Sequence, residues 1–364
     1  MRAATLNIED PSATETTRKR KAVARWLLSG VIMIMILILI GGITRLTGSG
    51  LSITKWEPVK GMLPPLTDKA WEEAFASYKE LGQYRYLNSD FTLSDFKEIF
   101  FWEWFHRFWA RMIGIVFAVG FVYFYVKKYF DKEMVVPFII LFALGGLQGA
   151  IGWIMVMSGL NPEDLYVSHI KLAMHFTMAL IVLTYTLWFA LKLLVPKEQR
   201  APNRKQYIFL LVIVGLLFVQ LPYGAFMAGL KAASAAPTWP DINGAYVPEG
   251  MRGKSWVSAP INVHFVHRQL AYLLATLIFF WFGNAVYQAR KSTRLFRRAL
   301  WWPMILVVVQ IALGVLTVLT VAGSIPDTFG LFQLIAEMHQ MVAMLLLVSL
   351  VVNLYLVRSS LVSR

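Results

Sequence analysis

Eight long apolar stretches alternate with polar segments along this chain, at residues 26–43, 105–126, 136–157, 170–195, 207–229, 265–288, 302–322 and 332–357. Most have the roughly 20 apolar residues that a helix needs to cross a bilayer core about 30 Å thick. Each predicts a membrane-spanning helix. The connecting segments are of two kinds, and the kinds alternate. Residues 1–25, 127–133, 192–205, 290–298 and 358–364 are short and hold 21 of the 35 Lys and Arg. The positive-inside rule places them in the cytoplasm, or in the matrix of a mitochondrion. An even number of spans returns both termini to that side. The opposite segments include two long ones, 44–104 and 230–264, and two shorter ones, 158–168 and 323–331. The longest carries Trp71, Phe75, Tyr78, Tyr84, Phe91, Phe96 and Trp102, enough apolar material to pack as short helices over the outer face.

Composition agrees with this pattern and narrows the chemistry. Hydrophobic residues make up 57% of the 364, and mean hydropathy is +0.57. Cysteine is absent, which excludes disulfides, thiolate metal sites and iron–sulfur clusters. A formal charge of +14 would suit a nucleic-acid partner, but its concentration in loops on one side marks it as topogenic. The polar arm 1–25 ends in Arg18-Lys19-Arg20-Lys21, and the run after it is too long and too apolar for a signal core. The arm is expected to be cytoplasmic and uncleaved.

The chain also repeats itself. Glu103-x-x-His106-Arg107 opens span two and His264-x-x-His267-Arg268 opens span six, with the second histidines offset by 161 residues. Gln148-Gly-Ala-Ile-Gly152 matches Gln310-Ile-Ala-Leu-Gly314 at an offset of 162, and His175 matches His339 at 164. Three pairs at nearly one offset predict a tandem repeat. Because four helices precede the second copy, the two copies run in the same direction. The expected fold is an all-α integral membrane protein of two four-helix bundles, 26–198 with its large outer loop 44–104, and 199–364.

His106, His175, His267 and His339 lie on the even-numbered spans, each near the outer end. Ionisable groups inside a membrane segment point to function by default. Two opposed imidazoles inside a helix bundle suit axial ligation of haem iron, whereas zinc takes three or four ligands, commonly with sulfur or carboxylate. A dihaem relay across the membrane would place its haems at opposite leaflets. Here both pairs lie at similar depth, which favours two sites side by side with different roles. Glu103 precedes His106 by one helical turn, and the matching residue of the second half is His264. A carboxylate beside a bound substrate serves proton transfer or stabilises developing positive charge. The first half is therefore assigned to chemistry and the second to a resident redox cofactor. Arg107, Arg111, Arg268 and His264 are candidate contacts for haem propionates. His169 is read as interfacial.

These residues resemble the haem A synthase (Cox15/CtaA) family. The resemblance rests on Glu103 to Arg107, on Gly48-Ser-Gly-Leu-Ser-Ile-Thr-Lys-Trp56 through Pro58, Gly61, Pro64 and Pro65, and on Lys171-Leu-Ala-Met-His175. It also rests on Thr238-Trp-Pro240, Asn262-Val-His-Phe-Val-His267-Arg268 and His339-Gln340. Without cysteine the chain looks like the cysteine-free branch. The resemblance implies oxidation of a haem O methyl group to a formyl group, giving haem A for haem–copper oxidases. It implies that His106 and His175 flank substrate haem O, that His267 and His339 ligate a haem b cofactor, and that Glu103 is the catalytic carboxylate. The implied upstream partner is haem O synthase. Apart from the resemblance, the expected partners are membrane lipid and an electron acceptor that the sequence does not name, with a homo-oligomer as one option for an oligomeric state that the sequence does not give; nucleic acid is not expected. The expected location is a bacterial plasma membrane, with a mitochondrial inner membrane as the alternative. A dihaem b-type electron carrier and a haem-delivery protein are the competing functions.

Overall fold

In a computed structural model the structure describes residues 11–55, 60–324 and 328–358. Trp56 and Pro58 of the outer-loop motif, and residues 1–10 of the arm, lie outside the described residues. Each apolar run forms one long helix: α1 (Pro11–Leu46), then, after the short α2 (Asp68–Lys79) and α3 (Gly82–Leu87), α4 (Leu93–Val126), α5 (Lys132–Met157) and α6 (His169–Leu194). The second half contributes α7 (Arg204–Gly229), α8 (Pro260–Ala289), the short α9 (Arg294–Ala299), α10 (Trp301–Thr320) and α11 (Leu331–Val357). Eight helices among the described residues are long and apolar enough to cross a membrane, and no strand forms among them. This is the all-α membrane fold that the hydropathy pattern predicts.

The helices extend beyond their apolar runs. α4 begins at Leu93, not near Phe105. A capping box starts it there, with Thr92 Oγ1 accepting from Asp95 N–H at 3.4 Å and Asp95 Oδ2 accepting from Thr92 N–H at 2.8 Å. Its first turns bury Phe96, Ile99 and Phe100 against Phe75, Tyr78 and Leu81 of the α2–α3 region and against Leu51. Burying a side chain such as Phe96 is worth about 1.5–3 kcal/mol, so the long loop is a packed cap, as its aromatic content suggests. Glu103 and His106 consequently sit well inside α4 rather than at its mouth.

The two halves repeat one pattern of neighbours. α1 packs on α4 and α6, and α5 on α6; likewise α7 packs on α8 and α11, and α10 on α11. The halves join where α6 meets α7 and α11, and where α1 meets α11. α1, α6, α7 and α11 thus form the centre, and α4, α5, α8 and α10 flank it. Burial follows: 72% of the apolar window of α11 is buried, against 6% for α4. This arrangement is consistent with a parallel tandem repeat. It breaks in one respect, for α8 packs closely on α10 while the matching α4 and α5 do not pack this closely. α4 and α5 are held near their short connection by aromatic side chains, with Phe117 and Phe142 centred 4.8 Å apart and Phe121 and Phe142 5.2 Å apart. Arg20 of α1 also ties that connection, pairing with Asp131 at 2.8 Å and Glu133 at 3.2 Å.

Candidate functional site

All four repeat-matched histidines line one cavity of about 990 Å³ at the centre of the molecule. His106 comes from α4, His175 from α6, His267 from α8 and His339 from α11. Glu103, Arg107, Arg111, His264 and Arg268 line the same cavity. Every residue proposed from the sequence therefore converges there. His169 does not line it; its Nε2 lies 3.1 Å from the Val257 carbonyl and 3.2 Å from Ser258 Oγ, tying the start of α6 to the segment before α8.

Each histidine ring rests against a glycine of a neighbouring helix. A Cβ added at Gly152 would lie 2.6 Å from His175 Cε1, at Gly314 2.9 Å from His339, at Gly41 3.0 Å from His106 and at Gly224 3.5 Å from His267. These four glycines let the backbone approach the imidazole edge. Four residues before three of them stands a glutamine that touches the same ring. Gln148 Nε2 is 3.3 Å from His175 Nδ1, Gln220 Nε2 is 3.1 Å from His267 Nδ1, and Gln310 Nε2 is 3.2 Å from His339 Nε2. At the fourth position, in α1, the residue is Leu37. His106 Nδ1 is buried without a hydrogen-bond partner, as are Oε1 of Gln148, Gln220 and Gln310. The Gln-x-x-x-Gly pattern was readable at 148–152 and 310–314. The copy at Gln220-Leu-Pro-Tyr-Gly224 carries the same spacing and was overlooked.

The residues at matched positions beside His106 and His267 act alike. Glu103, 3% exposed, accepts through Oε2 from Ser52 Oγ at 2.7 Å and from Ile53 N–H at 2.8 Å, and pairs through Oε1 with Arg107 at 2.5 Å. Arg107 also donates to the Ile53 carbonyl at 3.1 Å. In the second half, Arg268 Nε donates to His264 Nε2 at 3.0 Å, and its Nη atoms donate to the carbonyls of Asp241 at 2.8 Å and Thr238 at 2.6 Å. Each i, i+4 pair thus fastens its helix to the long loop above it. Glu103 stands beside its histidine as helical spacing predicts, but much of its carboxylate is taken up by the loop.

One expectation needs correcting. The sequence reading gave a carboxylate to the first half alone. Glu337 of α11, 4% exposed, also lines the cavity. Gln340 Nε2 donates to its Oε1 at 3.3 Å, while Oε2 has no partner. It abuts Gly42 of α1, where an added Cβ would collide with it. A carboxylate inside an apolar span was signal enough to find it.

The donor set fits haem. The His267 and His339 ring centres lie 6.4 Å apart with planes at 70°, a gap spanned by two nitrogen–metal bonds of about 2 Å and the two ring radii. His339 Nδ1 donates to the Gln310 carbonyl at 3.2 Å, the kind of partner that fixes the tautomer of a ligating histidine; its Nε2, which meets the Gln310 amide nitrogen at 3.2 Å, is the nitrogen that would face a metal. Among the described residues no three His, Asp or Glu side chains come together as a metal cage.

The comparisons with known proteins point the same way. Residues 24–351 match the COX15-CtaA family, described as cytochrome oxidase assembly protein. The chain is 38% identical to the haem A synthase of Flavobacterium johnsoniae over 93% of its own length and 98% of the relative's. It is 40% identical to that of Sinorhizobium medicae over 84% and 83%, and 41% identical to that of Bradyrhizobium diazoefficiens over 82% and 84%. With its eight apolar helices and its four matched histidines, this chain belongs to the COX15-CtaA family of cytochrome oxidase assembly proteins.

Proposed function

We propose that this protein is a haem A synthase: it oxidises a methyl group of haem O to a formyl group in a bacterial plasma membrane, serving haem–copper oxidases. One observation carries the reading beyond the names of its relatives. Two histidine pairs share one apolar cavity, and their surroundings differ. His267 and His339 both have a glutamine partner, whereas His106 has Leu37 at the matching place. The second pair is built to hold a resident haem b, and the first to hold haem O.

Bound haem b supplies one-electron redox chemistry. The chain's own residues do the rest. His106 and His175 position haem O, and the apolar walls exclude water. Glu103, held beside His106 by Ser52, Ile53 and Arg107, takes up a proton released as the methyl group is oxidised. Arg111 of the first half and Arg268 of the second offer cationic charge for propionates. The basic short loops support placing that face in the cytoplasm and the long-loop face outside. Haem O synthase is the upstream enzyme whose product this reading consumes.

The test is to express the protein in membranes supplied with haem O, extract the pigments, and measure their masses and absorbance. Haem b together with newly formed haem A is the expected result. Two permanently bound haems with no chemical change would make the protein a b-type electron carrier and overturn the reading.

A further inference from the structure

A fissure between α4 and α5 flanks the first site, whereas the matching helices α8 and α10 of the second half pack more closely. Gly114 of α4 and Gly145, Gly146 and Gly149 of α5 all line the cavity, and no heavy atom outside the local backbone lies within 4 Å of a Cβ added at any of them. Toward the short-loop end the fissure is closed by the Phe117–Phe142 contact. At its other end it runs into His106 and His175, where His106 Nδ1 and Gln148 Oε1 are buried without partners. The three α5 glycines are themselves exposed, so the cavity reaches the membrane-facing surface here.

The repeat supplies the comparison. At the offsets that match Gln148 with Gln310 and His106 with His267, Gly145 corresponds to Val307, Gly146 to Val308, Gly149 to Ile311 and Gly114 to Ala275. Val307 and Ala275 are buried in the core, Val308 and Ile311 are exposed, and there α8 packs more closely on α10 than α4 does on α5. The half assigned to an untailed haem b thus carries side chains, two of them buried, where the half assigned to haem O carries only glycine. Haem O differs from haem B by a long prenyl chain on the ring edge. That chain is apolar, and mid-membrane is where it escapes water.

We propose that the fissure between α4 and α5 receives the prenyl chain of haem O, with Gly114, Gly145, Gly146 and Gly149 as its specificity-determining residues. This rests on reading the His106–His175 pair as the haem O site. A ring seated between the two histidines then passes its tail sideways into the bilayer, and the same opening admits substrate and releases product without exposure to water.

The experiment uses full-length protein in detergent with the second site already saturated with haem b. It is titrated by absorbance with haem O and, separately, with haem B, the same ring without the chain. The variant Gly145→Val/Gly146→Val/Gly149→Ile carries the side chains of the second half. The wild type is expected to bind haem O at least tenfold more tightly than haem B, and the variant to lose that preference while binding haem B as before. Unchanged haem B binding shows that the variant is folded. The single variant Gly145→Val is expected to give an intermediate ratio. A wild type without preference for haem O would sink the functional reading itself. A wild type that prefers haem O, with a variant that keeps the full preference, would overturn the tail assignment alone and leave the fissure to lipid chains.

Discussion

Leu37 stands in α1 where Gln220 stands in α7, each four residues before the glycine that backs a histidine. An outer partner that orients a ligating imidazole is typically worth ten- to a hundredfold in metal affinity. Gln220→Leu, which gives the second site the character of the first, is therefore expected to weaken haem b binding by about ten- to a hundredfold, read by haem titration of the apoprotein. Glu103 asks a different question, because its carboxylate both lines the cavity and fastens the loop. Removing one member of a buried ion pair costs about 3–5 kcal/mol, so Glu103→Ala should lower the thermal midpoint as well as haem A formation. Glu103→Gln keeps the size and an oxygen acceptor for Ser52 or Ile53. Because it still removes the charge that pairs with Arg107, it is expected to melt between Glu103→Ala and wild type yet lose as much haem A formation as Glu103→Ala. Wild-type conversion in that variant would confine Glu103 to anchoring.

At the scale of elements, the glycines grade the tightness of each site. Gly152→Ala places a methyl group 2.6 Å from His175 Cε1, whereas Gly224→Ala leaves 3.5 Å to His267. The first substitution must displace its ring and should weaken haem O binding at least tenfold; the second should leave haem b content unchanged in purified protein. The loop that Arg268 holds has its own dependence on acid. Asp241 is held below the usual carboxylate range, first by the Gly244 N–H and then by Thr238 and the Arg268 charge. A carboxyl lowered by folding contributes its stabilisation above the unfolded value and loses it as pH falls through the folded one. Protection of residues 238–244, taken relative to the intrinsic exchange rate at each pH, should therefore hold at neutral pH and fall only below about pH 3.9. The spans themselves were legible because each is a long apolar run, and the cap was legible in its aromatics. The true start of α4 was not, because residues 93–104 mix charge with aromatics and bury one face against the loop. The shared cavity was not legible either, since helix contacts across the two halves leave no periodic mark in either.

For the whole molecule, the seam between halves matters as much as either bundle. Gln340 of α11 donates to the Ile38 carbonyl of α1 at 3.2 Å, and Glu337 beside it abuts Gly42. Gly42→Leu forces that carboxylate away and should lower the melting temperature of both halves together, with haem b absorbance and helix content lost in one transition. Separate transitions would show that the halves are independent. The uneven packing of the flanking helices has a further consequence, in time rather than in space. A group held between α8 and α11 leaves past the more closely packed pair, α8 and α10, so its stay is expected to be the longer. A group held between α4 and α6 faces an opening that is already there, so its stay is set by its own affinity. On the proposed reading one molecule would hold a long-resident pigment and a short-resident one, and the rhythm of turnover would be set by which pair of flanking helices packs less closely.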